Sequence, residues 1–203
     1  MVLIVNYGMG NLGSLVNMLK KIGVPAEISS DIKDIESAEK LILPGVGSFD
    51  NGMKKLQNLQ LIEILNKKRI RDKTPILGIC LGMQLFTKTS EEGNLAGLGW
   101  FDAKTVKFRV NKDSSFKIPH MGWDTVNIRK PHYLFQDMDI NAMYYFVHSF
   151  HVICNHEEDI LTTSHYGYDF VSSISKDNIT GVQFHPEKSH KFGMKVLENF
   201  CNN

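Results

Sequence analysis

The sequence predicts an α/β fold: a mostly parallel sheet flanked by helices, with an antiparallel extension. Three observations carry it. Up to about residue 90, short apolar runs alternate with segments of helical period, the pattern of a parallel sheet covered on both faces. After about residue 100 the texture changes to short β-like runs, and the chain ends on one amphipathic segment. No linker rich in Pro, Gly or Ser, no repeat and no low-complexity tract interrupts the 203 residues, so one domain spanning 1–203 is expected.

Residues 2–6 (VLIVN) read as the first strand. A helix follows, with Leu12, Leu15, Val16, Leu19 and Ile22 at helical spacing and Gly23 as its stop. PAEISS and KLILPG read as strands two and three. Leu56, Leu59, Ile62 and Leu65 mark a helix or a broken helix pair. TPILGIC is the fourth strand, and GMQLFTKT a helix running from it. AKTVKFRV, DTVNIR, MYYFVHSF, DILTTSHY, FVSSIS and ITGVQF then read as an antiparallel extension joined to the same sheet. From Ser189 to Cys201 a last helix sets Phe192, Val196, Leu197 and Phe200 on one side.

A hydrophobic fraction of 42%, a charged fraction of 22% and a net charge of +1 are ordinary globular values, with no field favouring nucleic acid or acidic membranes. No apolar run approaches a membrane span, and MVLIVNYGMG lacks the basic region and cleavage site of a signal peptide. The three cysteines, Cys80, Cys154 and Cys201, include no CxxC pair, which argues against a disulfide framework or zinc knuckle and for a reducing cytoplasm.

Gly78-Ile79-Cys80-Leu81-Gly82 has the form of a G-x-nucleophile-x-G elbow between strand and helix. The glycines permit a sharp turn, the helix behind would point its positive end at the sulfur, and the Leu81 N–H is a natural oxyanion donor. A buried, inert cysteine fits the pentapeptide as well. A base would decide between them. His185 ends the run ITGVQF and is followed by Pro186 and Glu187. In an extended segment the i+2 carboxylate returns to the same side, where it would orient an imidazole. Taken alone, H-P-E is more simply a surface turn.

Together, GICLGMQ and GVQFHPEKS resemble the triad of class I glutamine amidotransferases. The resemblance makes Cys80 the nucleophile, His185 the general base and acid, and Glu187 the orienting carboxylate, acting on glutamine through a thioester and without a cofactor. NYGMGNLGS, LPGVGSFDNGM and PHMGW extend the likeness over nearly the whole chain, to the glutaminase subunits of imidazole glycerol phosphate synthase in histidine biosynthesis. In that branch ammonia passes to a (β/α)₈ synthase partner, a heterodimer that forms imidazole glycerol phosphate and AICAR. Gly45, Val46 and Gly47 then match the oxyanion strand, and Leu81, Gln84, His148, Ser149 and Phe150 match positions that hold glutamine. Met121 and Trp123 offer an anchor for the partner, and Asn11, Tyr145 and Lys188 match its docking face. From spacing alone, Trp123 is equally a core residue and His148-Ser149 a polar strand end.

Asp124 stands where the branch carries asparagine, Phe150 and His151 where it carries tyrosine or arginine, and SHKFG differs from its small-residue run. These departures are similar to paralogues that supply ammonia for amidine formation on surface polysaccharides. Outside this reading, Gly8-Met9-Gly10-Asn11-Leu12-Gly13 with Asp31 has the form of a dinucleotide fingerprint, but it leaves the elbow and the His-x-Glu unexplained. A cysteine peptidase would use the same three residues, and a pure binding protein would not need all three. HEED at 156–159 lacks the second histidine of a zinc motif, so no metal is expected.

Overall fold

The computed structural model describes residues 1–111 and 116–203. The first half alternates strand and helix: β1 Val2–Val5, α1 Leu12–Lys21, β2 Ala26–Ser29, α2 Ile32–Ser37, β3 Lys40–Gly45, α3 Phe49–Asn58, α4 Leu61–Ile70, β4 Ile76–Cys80 and α5 Leu81–Gln84. The second half is mostly strand: β5 Thr89–Ser90, β6 Ala103–Lys107, β7 His120–Thr125, β8 Asn127–Ile128, β9 Met143–His148, β10 Phe150–Cys154, β11 Ile160–His165, β12 Asp169–Lys176 and β13 Ile179–Val182, before the last helix, α6 His190–Asn202.

The main sheet runs β2-β1-β3-β4-β13-β12-β10-β6-β5, with β11 and β8 branching from β12. From β2 to β13 every pairing is parallel; β12, β10 and β6 then pair antiparallel. The strands at the centre are apolar on both faces because both are covered. In β1, Leu3 and Val5 pack into one core with α3 and α4, whereas Val2 and Ile4 face the other, shared with Leu15 and Leu19 of α1 and Val196, Leu197 and Phe200 of α6. β13 is the last parallel strand but lies beside β4, so the ends of these two distant segments meet at the sheet's centre. The mostly parallel sheet with an antiparallel extension is as expected.

Three local expectations change, and at 56–65 one of two open alternatives is realised. The helix expected after the elbow lasts one turn, because Leu85, Phe86 and Thr87 turn their carbonyls to the N–H groups of Leu98, Trp100 and Gly99. The apolar run at 56–65 is two helices, broken where Gln60 takes a left-handed φ of 55°. A further helix, Ile32–Ser37, is too short to display a helical period in the sequence; Asp31 caps it by accepting from the Lys33 N–H at 2.7 Å. The run MYYFVHSF is two strands parted at Ser149. Its first part, β9, leaves the main sheet and pairs with β7 as a separate ribbon.

Candidate active site

Cys80 is the last residue of β4, opposite Gly45 of β3, with φ 53° and ψ −109°. A non-glycine residue in that region is strained, and such strain is held only by tight surroundings. Two glycines supply them. A Cβ on Gly82 would lie 1.8 Å from the Leu43 carbonyl oxygen, and one on Gly78 would lie 2.4 Å from the Phe86 ring. The elbow is therefore built by close backbone approach. With a single helical turn behind it, the macrodipole contributes far less than the sequence suggested.

His185 follows β13 and opens the 3₁₀ turn Pro186–Lys188. Its backbone is pinned from both sides: its N–H donates to the Tyr145 carbonyl at 2.9 Å, and the Ser189 hydroxyl donates to its carbonyl at 2.6 Å. Nδ1 lies 2.7 Å from Glu187 Oε1, with both side chains buried. The pair meets through this turn and not through the extended segment the sequence implied. Nε2 and Glu187 Oε2 have no hydrogen-bond partner among the described residues. Burial opposes a charge on His185, but attraction to Cys80 and to Glu187 outweighs it and raises the imidazole to about 10.

A cleft of about 580 Å³ opens beside the sulfur. Val46, Gly47, Cys80, Leu81, Gln84, His148, Ser149 and Phe150 all line it, and Gly47 holds a φ of 116° that favours glycine. Gly45 lies just behind the lining, packed so closely that a Cβ there would be 2.5 Å from the Tyr7 hydroxyl. Gln84 turns its Nε2 inward, to the Phe150 carbonyl and to Gln183 Oε1, each at 3.0 Å. Both ring nitrogens of His148 are likewise committed inside the fold, to the Phe150 carbonyl at 2.7 Å and to His120 at 3.2 Å.

Beside the cleft lies an exposed apolar patch. Met121 and Trp123 point outward from β7, 61% and 42% exposed, which excludes the core reading of Trp123. Trp123 faces Tyr145 across the ribbon and stacks on His190 with centroids 5.1 Å apart, and the Lys188 ammonium sits 5.6 Å over the Tyr145 ring. Asn11 caps α1, its side chain accepting from the Ser14 N–H at 3.3 Å. The neighbouring Gly10 touches Pro44 of the β3 end.

Three residues of this region escaped the sequence reading. Gln183 Nε2 donates to Cys80 Sγ at 3.6 Å; it sits inside GVQFHPE, two residues before His185. Glu92 lines the cleft and accepts from the Phe49 N–H at 2.8 Å, a position no local pattern announces. Tyr7 is buried beneath Gly45, its hydroxyl without a partner among the described residues; burial first, then Cys80, pushes its ionisation far above the ordinary range. The dinucleotide pattern finds a different use: Lys55 Nζ donates to the Gly8 carbonyl at 2.7 Å, Gly10 packs on Pro44, and Asp31 serves as a cap.

A strained cysteine at a strand end, a buried His–Glu pair beside it and a cleft at the sulfur define a thiol-dependent enzyme of α/β fold. The model of the class-I glutamine amidotransferase family matches residues 3–203, and the chain belongs to that family. It is 58% identical over 200 residues to imidazole glycerol phosphate synthase subunit HisH 2 of Methanococcus maripaludis, covering 98% of both chains. The corresponding subunit HisH 2 of Pseudomonas aeruginosa is 44% identical, and subunit HisH 1 of Campylobacter jejuni 46%, again with 98% of each chain covered. Among solved structures, PurLQS of Thermotoga maritima superposes with a TM-score of 0.74 at 15% identity, covering 99% of this chain and 97% of that one. A GMP synthase component of Thermoplasma acidophilum gives 0.72 at 21%, over 98% and 90%. At these identities the structural likeness speaks for the fold.

Proposed function

We propose that the chain is the glutaminase subunit of an imidazole glycerol phosphate synthase, hydrolysing glutamine at Cys80 and passing ammonia to a (β/α)₈ synthase partner. The observation that carries this reading is the His185–Glu187 pair at 2.7 Å, buried beside a strained cysteine at the cleft. The relatives above are all subunits of that synthase, which favours the imidazole-forming acceptor over a surface-polysaccharide sugar.

In this mechanism the Cys80 thiol passes its proton to His185 Nε2, the sulfur attacks the glutamine side-chain carbonyl carbon, and the oxyanion falls towards the Leu81 and Gly47 N–H groups. His185 favours its protonated form, so Nε2 holds the proton that goes to the leaving nitrogen. The C–N bond breaks, ammonia departs and a glutamyl thioester remains. His185 Nε2 then takes a proton from water, whose oxygen displaces the sulfur and releases glutamate. Glu187 keeps the imidazole oriented and balances its charge throughout. The remaining lining suits a free amino acid: Glu92 brings a carboxylate for the α-ammonium, and the Ser149–Phe150 bend brings backbone for the α-carboxylate. Met121, Trp123, Tyr145 and Lys188 form the docking face, next to the cleft that Lys188 and Val147 also line. Reduced cysteines and the absence, among the described residues, of a helix long and apolar enough to cross a membrane accord with work in the cytoplasm.

The test is glutamate release from glutamine by wild type and Cys80→Ala, alone and with the synthase partner, with and without that partner's nucleotide substrate. Slow release that requires Cys80 and accelerates with the liganded partner is expected. Release that ignores the nucleotide would point to another acceptor. Release equal with and without partner would remove the coupling, and none in any arm would remove the glutaminase.

A further inference from the structure

A continuous line of polar contacts joins strand β7 to the sulfur, and the Phe150 carbonyl is its node. That oxygen accepts from His148 Nδ1 at 2.7 Å and from Gln84 Nε2 at 3.0 Å. A carbonyl only accepts, so both neighbours are fixed as donors, and the assignment propagates in both directions.

Towards β7, His148 carries its proton on Nδ1. Burial, reinforced by the nearby His120, His151 and His185, holds it neutral, so its Nε2 is bare and accepts from His120 Nδ1 at 3.2 Å. His120 is itself kept neutral by burial, its ring stacked between Tyr166 at 4.0 Å and Phe146 at 5.0 Å. Its Nε2 faces the Asp124 carboxyl at 3.6 Å.

Towards the sulfur, the second N–H of Gln84 goes to Gln183 Oε1 at 3.0 Å. That leaves Gln183 Nε2 as the donor to Cys80 Sγ at 3.6 Å. Both amide side chains are buried, where an unmet polar atom is costly and a met one is directional. The strand's two-residue period completes the picture: His120 and Asp124 point inward while Met121 and Trp123, between them, are exposed beside the cleft. Whatever presses on the outer pair shifts the backbone that carries the inner one.

We propose that His120 and Gln183 are positioning residues of the glutaminase, the two ends of a buried hydrogen-bond chain that holds the Cys80 sulfur and the Ser149–Phe150 wall of the cleft in register with strand β7. The assignment rests on the glutaminase reading above. Neither side chain touches the reacting atoms of glutamine in it; His120 acts through His148 and the Phe150 carbonyl, Gln183 through the orientation of the sulfur.

A double-mutant cycle tests it, using the whole chain with its synthase partner. His120→Phe keeps the ring and its stacking but loses both nitrogens; Gln183→Met keeps the volume but loses the amide. Each is expected to lower kcat roughly ten- to a hundredfold, the worth of one buried hydrogen bond to a polar or charged group, with KM within about twofold. His120→Asn, which restores an N–H near the Nδ1 position, is expected to recover most of the loss. The double variant should lose no more than the worse single one, because a chain broken once is broken. Multiplicative losses would overturn the chain, and a rise in KM at constant kcat would overturn positioning. If Gln183→Met does not fold, Gln183→Glu, which retains an acceptor for Gln84, takes its place. The rate of Cys80 alkylation by iodoacetamide is read on every variant. Alkylation that both substitutions alter, in a wild type that releases no glutamate, would retain the chain and sink the glutaminase. Glutamate release with alkylation unchanged by either would do the reverse.

Discussion

His185 Nδ1 and Glu187 Oε1 lie 2.7 Å apart with both side chains buried, brought together by a 3₁₀ turn whose first residue is Pro186. The turn is held by Gly193, where a Cβ would meet the Pro186 carbonyl oxygen at 1.8 Å. The start of α6 therefore sits against the His185–Glu187 pair, and the geometry of the pair is inherited from the docking of that helix.

Replacing Glu187 by Gln keeps an oxygen for Nδ1 but removes the charge that helps hold His185 protonated. A positioned acid–base group contributes about 10² to 10⁴ in rate. We expect Glu187→Gln to lower glutaminase kcat by at least about a hundredfold, with glutamine KM and the thermal midpoint little changed. Steady-state assays beside a melting curve check this; an unchanged kcat would deny Glu187 its role.

The two glycine-rich stretches make opposite predictions. Gly82→Ala would drive a Cβ onto the Leu43 carbonyl oxygen, and backbone cannot yield as a side-chain tip can. It should cost about 3 kcal/mol or more and abolish activity. Gly13→Ala meets nothing within 4 Å, in the first turn of α1. It should be neutral or stabilising by up to about 1 kcal/mol. Urea melts of both variants check the pair. A strongly destabilised Gly13→Ala would contradict the open space beside that residue.

The same stretches show what was legible in the chain. The elbow could be read because its glycines are adjacent in sequence to the cysteine they shape. His185 and Glu187 could be read because they share one short run. The helix after Gln84 was misread because its apolar period is genuine, whereas the hydrogen bonds that end it come from residues 98–100, outside any local window. MYYFVHSF looked like one strand because nothing in it marks the point at which the ribbon leaves the sheet. Glu92 and Tyr7 were invisible for the same reason: the sulfur's neighbours come from strand ends far apart in sequence. Gln183 was within reach, since it stands two residues before His185 in the same short run.

Acid should loosen the fold through its buried histidines. His132 is held neutral at about 4, by burial and then by the Lys130 charge, against an ordinary value of 6.5. It accepts from the Leu134 N–H at 3.2 Å on Nδ1, so Nε2 is the side that bonds the Ser175 hydroxyl at 3.0 Å. His120 is also held at about 4 by burial. Between these values the unfolded chain binds protons that the folded chain refuses. The stability these two histidines contribute is therefore intact above pH 6.5 and falls as pH drops towards 4, a window in which His185, raised to about 10, is protonated when folded and adds no opposing slope. Urea midpoints across that window should decline, and His132→Asn, which keeps an acceptor for Leu134, should flatten the slope. A midpoint constant over that whole window would contradict the buried neutral state.

Trp123 supplies the sharpest test of the docking face. Its ring lies within 5° of parallel to His190 and meets Tyr145 edge-on at 5.9 Å, so it is presented rigidly while 42% exposed. A preorganised aromatic on an exposed ribbon loses little freedom on association, which is why such residues dominate interface energies. Within the free subunit, Trp123→Ala forfeits only a stack and an edge contact, about 1 kcal/mol. At the interface it should cost about 2 kcal/mol or more, a rise of roughly thirtyfold in Kd for the synthase partner. Calorimetric titration of the two subunits reads that rise, and the melting curve of the free subunit reads the smaller term. Because β7 also carries His120 inward, the weakened complex should lose partner-stimulated turnover more steeply than basal turnover. A Kd left at the wild-type value would move the docking face off this ribbon.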